Sequence, residues 1–574
     1  MSASLGNSEP PGAVRSVGAD EVRTALARPG FYMHPVDRVE LRETHISWVF
    51  LVGDRAYKLK KPLVLPFLDY GSPARRGEMC REEVRLNSRL APNVYLGVRA
   101  VVECAGGFEL AAEDDPRAVD YVVEMRRYDE ECTLAARLER GEVKQSQIVE
   151  VGRRLAVFHQ QARRVPAPGV PALAVERRMT ENFHELLAIV EQRAEIEWVL
   201  ALERFTHAFL VAHVQMLDTR ARRRLIREVH GDLRAEHVLL GDPIEIVDCI
   251  EFDDRLRELD VADDLAFLVM DLVARGGERL AQTLLSAYRN AGGDLGDDQL
   301  IAFYAAHRAL VRAKVTLMRA AQHPASTSAA AHESSLARDL LSLAERFAWR
   351  ARLPLVIVIC GSPASGKTQL AQALAEISHL PHLSSDVTRK EIAGVEPQQR
   401  AGCEFYSSEF SQLTYSELGR RARQATKACG GAIVDATFRC RSYRSAFTAS
   451  FADAAPLLFV ECWAPAGVLA SRAARRDRQT DGVSDASLSV VVRESAAWEP
   501  LGELPPEAHV TLRSDRRVEA QLEDLRALLD RRIGPLNERR SEPPTVAEAA
   551  LGETARSHAR GPRETPDGCM LRSE

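Results

Sequence analysis

The sequence is short of three things, and each shortage excludes something. Its ten cysteines, scattered from Cys80 to Cys569, include no CxxC pair, so neither a zinc site of that spacing nor a disulfide framework is indicated. They read as reduced thiols, mostly small buried hydrophobes. No apolar run approaches the roughly 18 residues that cross a bilayer, and Met1 to Gly30 lacks a basic start followed by an apolar stretch. A cytoplasmic chain with no membrane partner is expected. Positive charge is also not in excess: 76 Lys and Arg stand against 82 Asp and Glu, a net charge of -6, so no nucleic acid is expected as a stable partner. Lysine itself is scarce. Only eight of the 76 basic residues are Lys (58, 60, 61, 144, 314, 367, 390 and 427), which raises the weight of each as a position that requires a compact ammonium.

What is present is the composition of a soluble globular protein, 45% apolar and 28% charged, in 574 residues, enough for two to four domains. Residues 1–20 and 536–574, rich in Pro, Ser, Gly and charge, read as disordered. The clearest internal break is Arg350 to Pro354, where a helical region gives way to the apolar run LVIVIC. The expected layout is a first domain over 21–350 and a second over 351–535.

The second domain alternates strands and helices, which predicts a parallel sheet covered by helices. Between its first strand and helix stands Gly361-Ser362-Pro363-Ala364-Ser365-Gly366-Lys367-Thr368, which satisfies GxxxxGK[ST] in the context that motif needs. Glycines let backbone N–H groups curl around phosphates, Lys367 reaches the β- and γ-phosphates, and Thr368 can ligate Mg²⁺. Asp386 is a candidate base with Arg389 beside it to hold an acceptor, or else a helix N-cap with a surface arginine. Asp435, ending the strand GAIVD, is placed to hold Mg²⁺ or to cap a loop. Arg472, Arg475 and Arg476 share a helix face and form either a lid over the phosphates or a solvated surface. With these residues, the segment from about 353 to 533 resembles the P-loop kinases that include polynucleotide-kinase-like and zeta-toxin-like ATPases. The resemblance implies Asp386 as base and Arg472 and Arg476 as lid arginines.

The first domain begins with a hairpin, WVFLV and RAYKLK, continues through a helix over 74–90 and a strand YVVEM, and then turns mostly helical. Late in it come His230-Gly231-Asp232-Leu233, Ile246-Val247-Asp248 and Asp263-Asp264-Leu265-Ala266. Phosphoryl transfer requires a base, metal-binding side chains and a cation on the nucleotide phosphates. The ordered set resembles the catalytic segment of the aminoglycoside phosphotransferase family, with its bilobal protein-kinase-like fold, over about residues 30–345. That resemblance implies Asp232 as the base, Asp248 as a metal ligand with Glu251 as a nearby alternative, and Asp264 as a structural aspartate. Lys58 matches the strand lysine that holds the nucleotide phosphates, partnered by Glu83 or Glu82. Where the family has a metal-binding Asn, five residues after Asp232, this chain has His237, which implies either an ion such as Mn²⁺ or weakened activity. Lys60 and Lys61 read as surface charges. His159, on an apolar helix, reads as a satisfied core histidine. Glu124 and Met125 are either the hinge that meets adenine or an ordinary strand end.

The expected protein is therefore a fused pair, a bilobal kinase-like α+β domain and an α/β P-loop domain. It would use ATP and Mg²⁺, or Mn²⁺, to phosphorylate a hydroxyl on a small molecule. The alternative is a regulatory nucleotide-binding protein with an inactive kinase-like domain and a switching ATPase domain. A toxin-like kinase acting on a sugar nucleotide rests on fold analogy alone. Aminoglycosides are not implied as acceptors, because no acidic cleft for their amines is identifiable.

Overall fold

A computed structural model describes residues 18–531, apart from 33–35, 66–67, 167–170, 325, 354, 397–398, 400–401, 452–456 and 477–496. The two terminal stretches expected to be disordered lie almost wholly outside the described residues. The chain divides into two compact units, one formed by residues 1–166 and 224–294, the other by 167–223 and 295–574.

The first unit opens with a six-stranded antiparallel sheet of β1 (Val39–Glu43), β2 (Ser47–Val52), β3 (Arg55–Lys60), β4 (Tyr95–Cys104), β5 (Gly107–Ala111) and β6 (Ala118–Arg126), in the order β1-β2-β3-β6-β4-β5. The hairpin expected at 48–60 is β2 and β3, turning at Gly53, whose φ of 58° suits glycine. Side chains alternate across the sheet. Phe50, Val52, Tyr57, Leu59, Val101 and Val122 pack on one face, and Ala56, Val98, Val123 and Met125 on the other. That second face carries helix α1 (Pro73–Asn87), capped by the Ser72 hydroxyl accepting from the Arg75 N–H. Arg76 of α1 is clamped to Asp120 of β6 by two bonds, 3.0 and 2.7 Å, with both side chains buried. The rest of the unit is helices, with Gln145–Gln161 packed on Glu278–Asn290, and two short antiparallel ladders, Val238–Leu239 with Glu245–Ile246 and Ile226–Glu228 with Glu258–Asp260, which flank the HGD and IVD segments.

The second unit holds a five-stranded parallel sheet of β7 (Leu355–Cys360), β8 (His382–Ser384), β9 (Gly431–Asp435), β10 (Leu457–Trp463) and β11 (His509–Arg513), in the order β8-β9-β7-β10-β11. The continuous apolar run of β7 is explained by burial on both faces. Ile357 and Ile359 join Leu370, Leu374, Leu525 and Trp349 on one side, while Val356 and Val358 join Tyr415, Leu418, Phe447 and Phe459 on the other.

The break expected near residue 350 does not coincide with this division. Trp349, at the end of helix Ser328–Ala351, is 2% exposed and belongs to the same core as the parallel sheet. Arg352 pairs with Asp530, and Glu345 with Arg526. Helices Pro171–Ile189 and Arg193–Ala212 also belong to the second unit, the first packing on Asp298–Ala320 and the second on Val518–Asp530. Composition changes at 350 because a helix pair hands over to a buried strand, while the packing continues across it.

Candidate functional sites

In the first unit, four separated stretches of chain converge. Lys58 of β3 donates to Glu83 of α1 at 2.8 Å and to Asp248 at 2.9 Å. Burial acts to lower the Lys58 ammonium, but the Asp248 and Glu83 carboxylates overcome it and hold it well above its ordinary value. Asp248 is correspondingly held far below the usual carboxylate range, chiefly by Lys58. Its backbone lies in the left-handed region, φ 65°, an unfavourable conformation for a non-glycine residue of the kind that concentrates at functional sites. Glu83 is the partner of Lys58, as expected; Glu82 bonds instead to Arg85 and Arg257.

Two expectations are corrected here. Lys60 is no surface charge: it is wholly buried and paired with Glu83 at 2.6 Å and with Glu251. Glu251, bonded to Lys60 and Tyr70, is therefore committed to an ion pair and does not stand in for Asp248 as a metal ligand. Lys61 lies outside that network and pairs with Glu43 at 2.6 Å.

The HGD loop is built around a buried carboxylate. Asp264 accepts from the N–H groups of His230 at 3.2 Å and Gly231 at 2.8 Å, the structural role expected of it. His159 joins it from the other side, 2.9 Å from Asp264 and 2.8 Å from the Tyr288 hydroxyl, a satisfied core histidine. Gly231 has φ 86°, and a Cβ there would lie 2.6 Å from the Leu256 carbonyl, so only glycine fits. Asp232 is gripped by Arg234, Nε to Oδ1 at 2.9 Å and Nη2 to Oδ2 at 2.8 Å. Arg234 was not among the expected site residues. As the one basic side chain in HGDLRAEH, two positions after Asp232, it carried a usable signal. His237 donates from Nδ1 to the Asp232 carbonyl at 2.8 Å, which leaves Nε2 unprotonated, 3.7 Å from Asp248 and accepting from Arg234 at 3.1 Å. His237 Nε2 and Asp248 Oδ2 thus stand 3.7 Å apart, but the Nε2 lone pair is taken up by Arg234, so His237 would reach a divalent ion only with Arg234 displaced.

In the second unit, the expected loop joins β7 to helix α2 (Lys367–Ser378). Gly361 has φ 140°, and a Cβ there would meet the Cys462 carbonyl at 2.6 Å; Gly366 caps α2 at φ 91°. Asp435 ends β9 and is 3% exposed, with Oδ1 lacking any hydrogen-bond partner. Burial pushes its carboxyl up, against the pull of Lys367, the Thr368 hydroxyl and His382. An orphaned carboxylate oxygen beside Lys367 and Thr368 suits a hydrated divalent ion. Asp386 is exposed at the second position of α3 (Ser385–Ala393), within the first turn and not at the cap. Arg389 is buried, donating to the Phe405 carbonyl and lying 4.7 Å over the Tyr406 ring.

Helix α4 (Ala466–Arg476) carries the arginine cluster. Arg472 donates to the carbonyls of Ser365 at 3.2 Å and Ser514 at 2.7 Å, so in this structure it braces the back of the loop. Arg475 is exposed, and the side chain of Arg476 lies outside the described residues. Among the described residues, no three His, Cys, Asp or Glu side chains converge on a metal position, so an ion in either unit would depend on nucleotide phosphates for its remaining ligands. Among them, too, no helix is long and apolar enough to cross a membrane.

These two folds define a class: a unit built on a six-stranded antiparallel sheet joined on one chain to a P-loop unit with a five-stranded parallel sheet. Residues 356–501 match the family model described as an AAA domain. The chain belongs to the same family as uncharacterized proteins of Mycobacterium tuberculosis and Mycobacterium bovis, being 32% identical to each over 480 residues, 81% of this chain and 92% of theirs. Among solved structures, a choline/ethanolamine kinase family protein from Mesorhizobium loti aligns with 57% of this chain and 98% of its own, at 15% identity and a TM-score of 0.34. A gluconokinase from Sinorhizobium meliloti aligns with 36% of this chain and 99% of its own, at 20% identity and a TM-score of 0.23.

Proposed function

We propose that the protein is an ATP-dependent phosphotransferase with one nucleotide site in each unit, each moving the γ-phosphate of ATP to a hydroxyl of a small molecule. The observation that carries this reading is the convergence of Lys58, Glu83 and Asp248 beside the loop that presents Asp232. A pure binding module has no need of that last carboxylate. In the first unit, Glu83 orients Lys58, and Lys58 receives the nucleotide phosphates. Asp232 accepts the proton of the acceptor hydroxyl as its oxygen attacks the γ-phosphorus and ADP leaves. In the second unit, the loop backbone and Lys367 hold the phosphates and Asp386 plays the part of Asp232, while Arg389, buried against the Phe405 carbonyl and the Tyr406 ring, braces the chain beside α3. Asp248 and His237 in one unit, and Thr368 and Asp435 in the other, would hold Mg²⁺ or Mn²⁺, whose charge neutralises the phosphate oxygens. Arg472 keeps the loop in shape.

The regulatory reading has one observation in its favour: Arg234 covers both oxygens of Asp232 while Lys58 lies on Asp248. The test common to both is nucleotide stoichiometry. The full chain is expected to bind two equivalents of a fluorescent ATP analogue with Mg²⁺, and Lys367→Ala and Lys58→Met one each. A single equivalent on the unaltered chain would overturn the two-site reading. ATP turnover that survives Asp232→Asn in a Lys367→Ala chain would remove Asp232 as base.

A further inference from the structure

Lys60 is not used by the mechanism above, yet it is a fully enclosed charge at the first site. Its side chain is wholly buried, and its ammonium contacts three groups from three parts of the chain: Glu83 on α1, Glu251 three residues beyond Asp248, and the Tyr70 hydroxyl at 3.4 Å. Strand periodicity puts Lys58 and Lys60 on the same face of β3, and each takes a different oxygen of Glu83, Oε1 for Lys58 and Oε2 for Lys60. Glu83 therefore has two cations, but only one of them also holds the metal-binding aspartate. Burial acts to lower the Lys60 ammonium, and Glu251 and Glu83 more than offset it, so the cation persists.

The contacts of Lys58 and Lys60 differ in what nucleotide binding would do to them. Lys58 bridges Glu83 and Asp248, both of which must be shared once phosphates and a divalent ion arrive. Lys60 has no such second duty. We propose that Lys60 is a positioning residue for nucleotide binding: it locks Glu83 and the Glu251 segment into one frame, so that Lys58 can pass from Asp248 to a phosphate while Glu83 stays in place. This rests on the nucleotide-binding reading of the first unit.

The alternative is that Lys60 only neutralises the buried Glu251, and a charge-deletion cycle separates the two. The full chain carrying Lys367→Ala serves as background, so that only the first site reports, with Mg²⁺ and a fluorescent ATP analogue as the probe. Lys60→Met is expected to weaken binding at least tenfold and to lower the melting temperature, since it leaves Glu251 buried without its cation. Lys60→Met/Glu251→Met removes both charges and is expected to regain melting temperature but not affinity. Recovery of affinity along with stability, or unchanged binding in Lys60→Met, would overturn the inference. Should Lys60→Met fail to fold, the double variant still decides: tenfold weaker binding supports the assignment and background affinity refutes it. Lys58→Met is the control for the underlying reading. If it weakens binding while Lys60→Met does not, only the inference falls; if the background chain binds no nucleotide, the reading of the site falls as well.

Discussion

His230 shows how tightly the first site constrains single residues. It is fully enclosed, donates from Nε2 to the Val247 carbonyl at 2.9 Å, and leaves Nδ1 without a partner, so the ring is neutral. Burial pushes its pKa from 6.5 down to about 4. The unfolded chain therefore takes up this proton first as pH falls, and the stability held by the neutral ring is complete above 6.5, erodes from there and is lost below about 4. Between pH 7 and pH 5 the unfolding free energy of the first unit should fall by about 2 kcal/mol from this residue. Denaturant titrations at both values, with His230→Gln expected to flatten the difference, check it. Asp232→Asn keeps the shape of the loop and removes the proton acceptor, so turnover should drop by about 10² to 10⁴ with nucleotide affinity changed by less than about threefold. An equal loss in both would mean that Asp232 holds the nucleotide and does not act on the acceptor. Most of these residues were legible because they stand in ordered motifs. Lys60 was not, because two adjacent lysines at a strand end have the look of a solvated pair; counting by twos along β3 separates them, since residues 56, 58 and 60 share the face beneath α1.

At the scale of elements, α1 carries Glu83, and its seating depends on the Arg76 clamp. Arg76 and Asp120 are 3% and 1% exposed, and a buried pair broken from one side leaves the other charge stranded. Arg76→Ala should cost about 3 to 5 kcal/mol, read as a lower unfolding midpoint, with nucleotide affinity at the first site falling in parallel because Glu83 loses its support. Undiminished affinity in the folded fraction would show that the sheet alone positions Lys58. The strand-loop-helix of the second unit could be read straight from the sequence, since an apolar run, a glycine-framed loop and a helix follow one another without interruption. Strands β4 and β5 could not: YLGVRAVVEC mixes charged and apolar side chains because its faces meet a core, a helix and solvent in turn, and Gly97 interrupts it. The edge strand β11, HVTLR, is half polar for a similar reason, with a neighbour on one side only.

Over the whole molecule, each unit is made from two stretches of chain, and the cores follow that interleaving more closely than they follow composition. A cut at residue 350 would part Trp349 from Ile357, Leu370 and Leu525, Arg352 from the helix that precedes it, and Glu345 from Arg526. Fragments 1–350 and 351–574 are accordingly expected to melt below the full chain and to expose apolar surface to a hydrophobic dye. Fragments as stable as the whole would show that these contacts contribute little. The same interleaving governs synthesis. Helices Pro171–Ile189 and Arg193–Ala212 leave the ribosome long before Val518–Asp530, on which the latter packs. At about 5 to 20 residues per second, the face of Arg193–Ala212 that meets Val518–Asp530 waits roughly 15 to 60 seconds for that partner. The speed of translation through the last third of the chain therefore sets how long that face of the nascent protein stays uncovered.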